Sequence, residues 1–168
     1  FKIKQKQKMK TTIAILLLTV LLSSCETETA NLVTPPQSSD TDVPCLQFIP
    51  IIANQHDTIG DVVIYSGSGG IAIQVNEINA NVNTMHIKFS EVALTGNIAP
   101  GQFPIHITNP AIPFYKYFTW QEMNLPDNLQ NVFVYIHFDT NIGTAWAGNI
   151  RRSGRGQWYY YTDYDLCH

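Results

Sequence analysis

Charge is scarce in this chain, at 14% of 168 residues. Basic charge is scarcest once the first ten residues are set aside. Lys88, Lys116, Arg151, Arg152 and Arg155 then stand against thirteen acidic residues, a net of −8. Nucleic-acid binding needs clustered Lys and Arg to neutralise phosphate, so no nucleic-acid partner is expected. There is no long helical pattern and no internal repeat, which sets aside bundles and repeat arrays. The longest apolar run, Ile13–Leu22, falls short of the roughly 20 residues that a membrane-spanning helix needs. Catalytic signatures are missing too. No phosphate loop or dinucleotide fingerprint occurs. The Gly-x-Ser-x-Gly elbow fails at Ser68, because Ser66 stands where its first glycine should be. Glu77, Glu91, Glu122 and Asp139 are present, but nothing selects the pair that a glycosidase requires. A non-catalytic protein is expected.

What is present begins with an address. Met9 is the natural start, and Lys10 supplies a positive segment ahead of the apolar run. Leu22-Ser23-Ser24-Cys25 follows directly. An aliphatic residue, two small residues and a cysteine in this order resemble the lipobox of bacterial lipoproteins. The resemblance implies a signal peptide over 1–24, cleavage before Cys25 and a diacylglycerol (palmitate-bearing) anchor on its thiol. Glu26, not aspartate, follows the cysteine, so the cell envelope and its outer membrane are the expected location. Residues 25–44 are rich in Thr, Ser, Asp and Pro and poor in core formers, the composition of a flexible tether. Two cysteines remain, Cys45 and Cys167, at the two ends of 45–168. In an oxidising envelope they read as a disulfide.

Residues 45–168 read as one all-β domain. Short alternating segments recur between Gly-, Pro- and Asn-rich turns: Leu46–Ile52, Asp61–Tyr65, Ile71–Glu77, Met85–Phe89, Phe103–Ile107, Phe114–Phe118, Val132–Phe138, Thr144–Ile150 and Gln157–Tyr164. About nine short strands at this spacing predict an antiparallel β-sandwich, with closure into a barrel as the alternative. Pro50 suits its strand to an edge. Val132–Phe138 is apolar on both faces and reads as central. Thr119–Asn128 is the one place for a helical turn, ended by Pro126.

The segments Gly101–His106, Val134–Phe138, Thr144-Ala145-Trp146-Ala147-Gly148 and Gln157–Tyr161 resemble a family of uncharacterised secreted bacterial β domains with a G-x-F-P segment, a T-A-W-A-G box and a W-x-x-Y closing strand. The resemblance covers Gly60–Tyr164 and implies an envelope β domain with no known activity. Gly143 stands where that family often has Glu.

Four groups of residues are candidates for function. Fifteen of the eighteen aromatics beyond the signal lie from Phe103 onward. Trp120, Trp146, Trp158, Tyr159 and Tyr161 are the candidates for stacking on a glycan, or for docking on another envelope protein. The competing reading is an aromatic core. Arg151, Arg152 and Arg155 gather in one hairpin connection, as an anion-binding loop or a solvated tip. Asp139 with Asn141, and Asp163 with Asp165, put oxygen ligands in expected turns, where a structural calcium could sit; turn formation is the plainer role. His86, His106 and His137 each interrupt an apolar alternation. If their strands are neighbours, two could share a face and bind a metal, although zinc asks for three or four ligands and no spacing here dictates that.

Overall fold

The computed structural model describes residues 45–154 and 157–166. Cys25, Arg155 and Cys167, with the expected signal peptide (1–24) and the expected tether (25–44), lie outside the described residues. Ten strands form the domain: β1 (Leu46–Ala53), β2 (Asp57–Gly67), β3 (Gly70–Ile78), β4 (Val82–Ser90), β5 (Ile105–Thr108), β6 (Phe114–Thr119), β7 (Asn131–Thr140), β8 (Gly143–Ala147), β9 (Ile150–Gly154) and β10 (Gln157–Asp165). All pairings are antiparallel, in the order β5-β4-β7-β8-β1-β2-β3-β6. The last part of β10 pairs with β7 beside β8, and its first part pairs with β9.

The sheet curls over itself, and the inner face is the main core. Ile49 and Ile51 of β1, Val62 and Ile64 of β2, Ile71 and Ile73 of β3, Met85 and Ile87 of β4, Phe118 of β6 and Val134, Ile136 and Phe138 of β7 meet there. Burying such side chains contributes about 1.5–3 kcal/mol each. The period of two then sends every intervening residue to the outer face. A second cluster covers part of that outer face, made of Ile98, Phe103, Tyr135, Trp146, Tyr159 and Tyr161.

The expected all-β, antiparallel class and single domain hold. Four details differ from expectation. Thr144–Ile150 is two strands, because the chain leaves β1 and β7 after Ala147 and pairs with β10 from Ile150. Strand β1 is interior, between β8 and β2. In a strand a residue's N and O point the same way, and the Pro50 carbonyl accepts from the Gly148 N–H at 3.1 Å, just past the end of β8. The missing Pro50 N–H therefore faces a place where the ladder has already stopped. Phe103 does not share a face with Ile105 and Ile107. It follows a short 3-10 turn (Pro100–Gln102) and packs in the second cluster. The helix α1 (Trp120–Met123) opens on a Thr119–Glu122 capping box and stops at Asn124 in the left-handed region, before Pro126 is reached.

Candidate functional site

Two regions of the outer face carry chemistry. The first is a cross-strand row. His106 of β5 stands opposite His86 of β4, His86 opposite His137 of β7, and His137 opposite Trp146 of β8. These pairs follow from register. Met85, Ile87, Ile136 and Phe138 take the inner face, so the residues between them must share the outer one. His86 Nδ1 lies 3.0 Å from His106 Nδ1, and His86 Nε2 lies 2.9 Å from Asp139 Oδ2. His137 packs edge-on against Trp146, with ring centres 4.7 Å apart. Its Nδ1 is buried with no hydrogen-bond partner and lies 3.9 Å from Asp139 Oδ1. His86 and His137 are buried, His106 is exposed and the Asp139 carboxylate is half-exposed.

Burial pushes the His137 imidazole down to about 4; Asp139 opposes this and His86 reinforces it. A histidine depressed in the native state binds its proton more readily when unfolded, so falling pH favours unfolding. In chelator-treated buffer, stability is expected to be full above about pH 6.5 and to fall as pH drops from about 6.5 to 4, by up to about 3 kcal/mol from this group. Denaturant melts of wild type and His137→Gln across that range check this. An identical pH slope in both would sink it.

The second region is the open outer face of β1, β2, β3 and β6. Register puts Leu46, Tyr65, Ala72 and Tyr117 in one row and Phe48, Val63, Gln74 and Tyr115 in the next. Phe48 is 66% exposed and Tyr115 57%. Tyr65 and Tyr115 stack diagonally across β3, with centres 6.1 Å apart and planes 24° apart. Burial first, then the Tyr115 hydroxyl, pushes the Tyr65 hydroxyl up to about 12. Beside Phe48 opens a cleft of about 420 Å³ that Pro50, Thr58, Asp61, Glu77 and Asn79 help to line.

The residues singled out in the sequence fall differently. Trp146, Tyr159 and Tyr161 are buried in the second cluster, so they offer no open ring face. The chain from Leu94 to Phe103 covers them. It is pinned by the Leu94 N–H donating to Tyr135 Oη at 2.7 Å and by the Tyr159 hydroxyl donating to the Leu94 carbonyl at 3.3 Å. Trp158 is half-buried, edge-on to Tyr160, and Trp120 donates from Nε1 to the Ser68 carbonyl. Arg151 and Arg152 do not converge. Arg151 donates to Gln55 Oε1 at 3.1 Å, and Arg152 lies over the Tyr161 ring and donates to its hydroxyl at 3.4 Å.

The calcium candidates also separate. Asp139 pairs with Thr144 near one end of β7, whereas Asp163 pairs with Phe133, six residues away or about 20 Å along the strand. Asp163 and Asp165 lie in a strand, not a turn, because Thr162, Tyr164 and Leu166 alternate inward. The Asn141 side-chain oxygen is already taken by the Asn81 N–H at 2.8 Å. Phe48, Tyr65, Tyr115 and Tyr117 were not singled out. In Phe114-Tyr115-Lys116-Tyr117-Phe118 the period of two already set the two tyrosines on one face, but nothing in the sequence said which face was open.

Comparison with protein-family models, with curated proteins and with solved structures finds no match to this chain. Among the described residues, no helix is long and apolar enough to cross a membrane.

Proposed function

We propose that this chain is a lipid-anchored envelope protein whose β domain binds a neutral glycan, without catalysis, on the open face of β1, β2, β3 and β6. The observation that carries the reading is the exposed Tyr115 ring stacked on half-buried Tyr65, with exposed Phe48 and Tyr117 in the flanking register positions. Ring faces bind the C–H faces of sugars through apolar contact, and neutral hydroxyls at their edges hydrogen-bond the sugar's own. The cleft beside Phe48 adds the carboxylates of Asp61 and Glu77 and the amide of Asn79, which suit sugar hydroxyls.

The address rests on Leu22–Cys25, with lipid on Cys25 and residues 26–44 as tether. A Cys45–Cys167 disulfide belongs to the same reading. The Tyr164 hydroxyl donates to the Cys45 carbonyl, so the end of β10 reaches the start of β1, two residues after Tyr164 lies Leu166, and Cys167 is next in sequence. The second reading is docking on another envelope protein, which the exposed apolar Leu46 and Phe48 favour.

Affinity electrophoresis of the purified protein through gels of different neutral polysaccharides tests the glycan reading. Retardation by one polysaccharide class is expected, and Tyr115→Ala or Phe48→Ala should weaken it about tenfold, near the 0.5–1.5 kcal/mol that one aromatic contact contributes. Both side chains are exposed, so both variants should keep the wild-type melting temperature. No retardation in any gel, or retardation indifferent to both substitutions, would reject the reading in favour of protein docking.

A further inference from the structure

We propose that His86, His137 and Asp139 form a binding site for one divalent transition-metal ion of the zinc class, with His106 as the group that orients His86. The site is independent of the glycan face.

The three ligand atoms, one imidazole nitrogen from each histidine and one carboxylate oxygen, lie within 4.8 Å of one another. Tetrahedral coordination at about 2.0–2.2 Å sets ligand atoms roughly 3.3 Å apart. At its widest the set is thus open by about 1.5 Å, a gap that rotations about the side-chain torsions can close. No ion is present. The backbone is already committed, because strands β4 and β7 fix His86 and His137 as direct cross-strand partners and put Asp139 two residues on, on the same face.

A plain hydrogen-bonded histidine ladder explains part of this arrangement. It does not explain His137. That ring is 95% buried, its Nδ1 has no hydrogen-bond partner, and Asp139 Oδ1 lies 3.9 Å from it, beyond hydrogen-bonding range. Leaving a buried nitrogen unpaired costs about 1–3 kcal/mol. An ion between His137 and Asp139 removes that cost.

The hydrogen bonds of His86 fit the same purpose. Without metal, the neutral His86 tautomer that gives Nε2–H to Asp139 Oδ2 is the one whose Nδ1 accepts from His106 Nδ1–H, across contacts of 2.9 and 3.0 Å. With metal on Nε2, the His86 proton resides on Nδ1 and is donated outward to His106 Nδ1, whose own proton moves to its exposed Nε2. Each ring keeps one proton, so the exchange of tautomers balances without loss of charge. An imidazole that ligates through one nitrogen and donates through the other is the usual arrangement around protein-bound zinc.

The donor set chooses the class of ion. Two imidazoles and one carboxylate suit zinc and its first-row neighbours, while calcium takes six to eight oxygens. Asp139 was a calcium candidate by type, and its neighbours make it a zinc-class ligand. Three protein ligands leave a fourth position to solvent, on the side where Asp139 is 45% exposed.

Isothermal titration of the chelator-stripped, purified full chain with ZnCl2 at pH 7 tests the site, and calcium chloride is the control. One zinc per chain is expected, with Kd below about 10 µM, and no heat from calcium. Asp139→Asn and His137→Gln should each weaken zinc binding at least about tenfold, and His106→Gln by a smaller factor. Asp139 is half-exposed, so Asp139→Asn is the variant that keeps the fold, verified by an unchanged melting temperature. Histidine-ring nitrogen NMR gives a readout independent of affinity: zinc should shift His86 Nε2 and His137 Nδ1 and leave His56 unmoved. No binding by wild type up to about 100 µM zinc overturns the proposal. So does zinc binding that folded Asp139→Asn retains in full.

Discussion

Trp146→Ala is expected to destabilise the domain by about 3–5 kcal/mol, the range for deleting a large buried aromatic side chain. The ring is 5% exposed and packs against Phe103, His137 and Tyr159. Each contact belongs to a different part of the chain: a loop, the central strand β7 and the closing strand β10. Removing the ring leaves a cavity between them. The surrounding rings are themselves anchored, as Tyr135 and Tyr159 both hydrogen-bond Leu94, so the site has little freedom to collapse. Urea denaturation gives the number, and the unchanged slope of free energy against urea would show that the native state keeps its compactness. Trp146→Phe should recover most of the loss, since it keeps an aromatic ring in the same place. A loss under about 1 kcal/mol for Trp146→Ala would mean that the second cluster does not hold the outer face together. A Trp146→Ala variant that keeps its fold yet loses glycan retardation would return Trp146 to the binding surface.

That experiment separates two roles that the sequence cannot distinguish. Alternation gives which residues share a face of a strand, and within the strands it held, failing only at Phe103, which precedes β5 and packs in the second cluster. It put Met85, Ile87 and Phe89 together, Val132 through Phe138 in the middle of the sheet, and the histidines opposite both sets. Which faces are open depends on what lies over them, and that is set far along the chain. Trp146, Tyr159 and Tyr161 look like an aromatic platform in sequence, but the Leu94–Phe103 segment covers them. Tyr115 and Tyr117 have the same alternation and are exposed. The histidine row needed one further fact, that β4, β5 and β7 are neighbours in register. No local pattern encodes strand order, so His86, His106 and His137 could be suspected of sharing a face but not placed in one row. Asp139 was legible as an oxygen ligand by type; its histidine neighbours, and so its class of ion, were not.

The aromatic cluster and the histidine row also bear on each other. His137 is held between Trp146 and Asp139. The apolar ring on one side keeps water from His137, and the carboxylate on the other faces its unpartnered nitrogen. A buried imidazole with one dry side and one acidic side is pre-oriented toward a single position, which is what a tight ligand atom requires. The open tyrosine face is built oppositely. Its side chains stand in register, with Tyr65 and Tyr115 stacked and with Phe48, Tyr115 and Tyr117 open to solvent. It is suited to a broad ligand whose energy is spread over several weak contacts, each removable at modest cost.

The other large effect is expected at Gly148, the last residue of the T-A-W-A-G box. There β8 ends and the chain crosses toward β9 with φ at +155°. A Cβ at this position would stand 2.4 Å from the Tyr161 nitrogen and 2.5 Å from the Tyr161 oxygen. Both are backbone atoms of β10, so no flexible side chain can give way. Gly148→Ala combines an unfavourable backbone conformation, about 1–3 kcal/mol, with overpacking of about 1–3 kcal/mol, for a total of about 2–6 kcal/mol. Gly101→Ala is the matched control. Its Cβ would meet nothing within 4 Å, so a change within about 1 kcal/mol is expected there. Thermal and urea melts of the two variants side by side give the comparison. Equal small losses would mean that β8 and β10 can separate at this corner without cost. The expected split instead makes the glycine a fixed point of the fold: it lets β8 hand the chain on to β9 while β10 lies against its backbone, and it keeps Tyr161 pressed onto Tyr135, its stacked neighbour in the second cluster. Loss of that contact would loosen the cover over Trp146, so Gly148→Ala should also redden the tryptophan emission, which Gly101→Ala should leave unchanged.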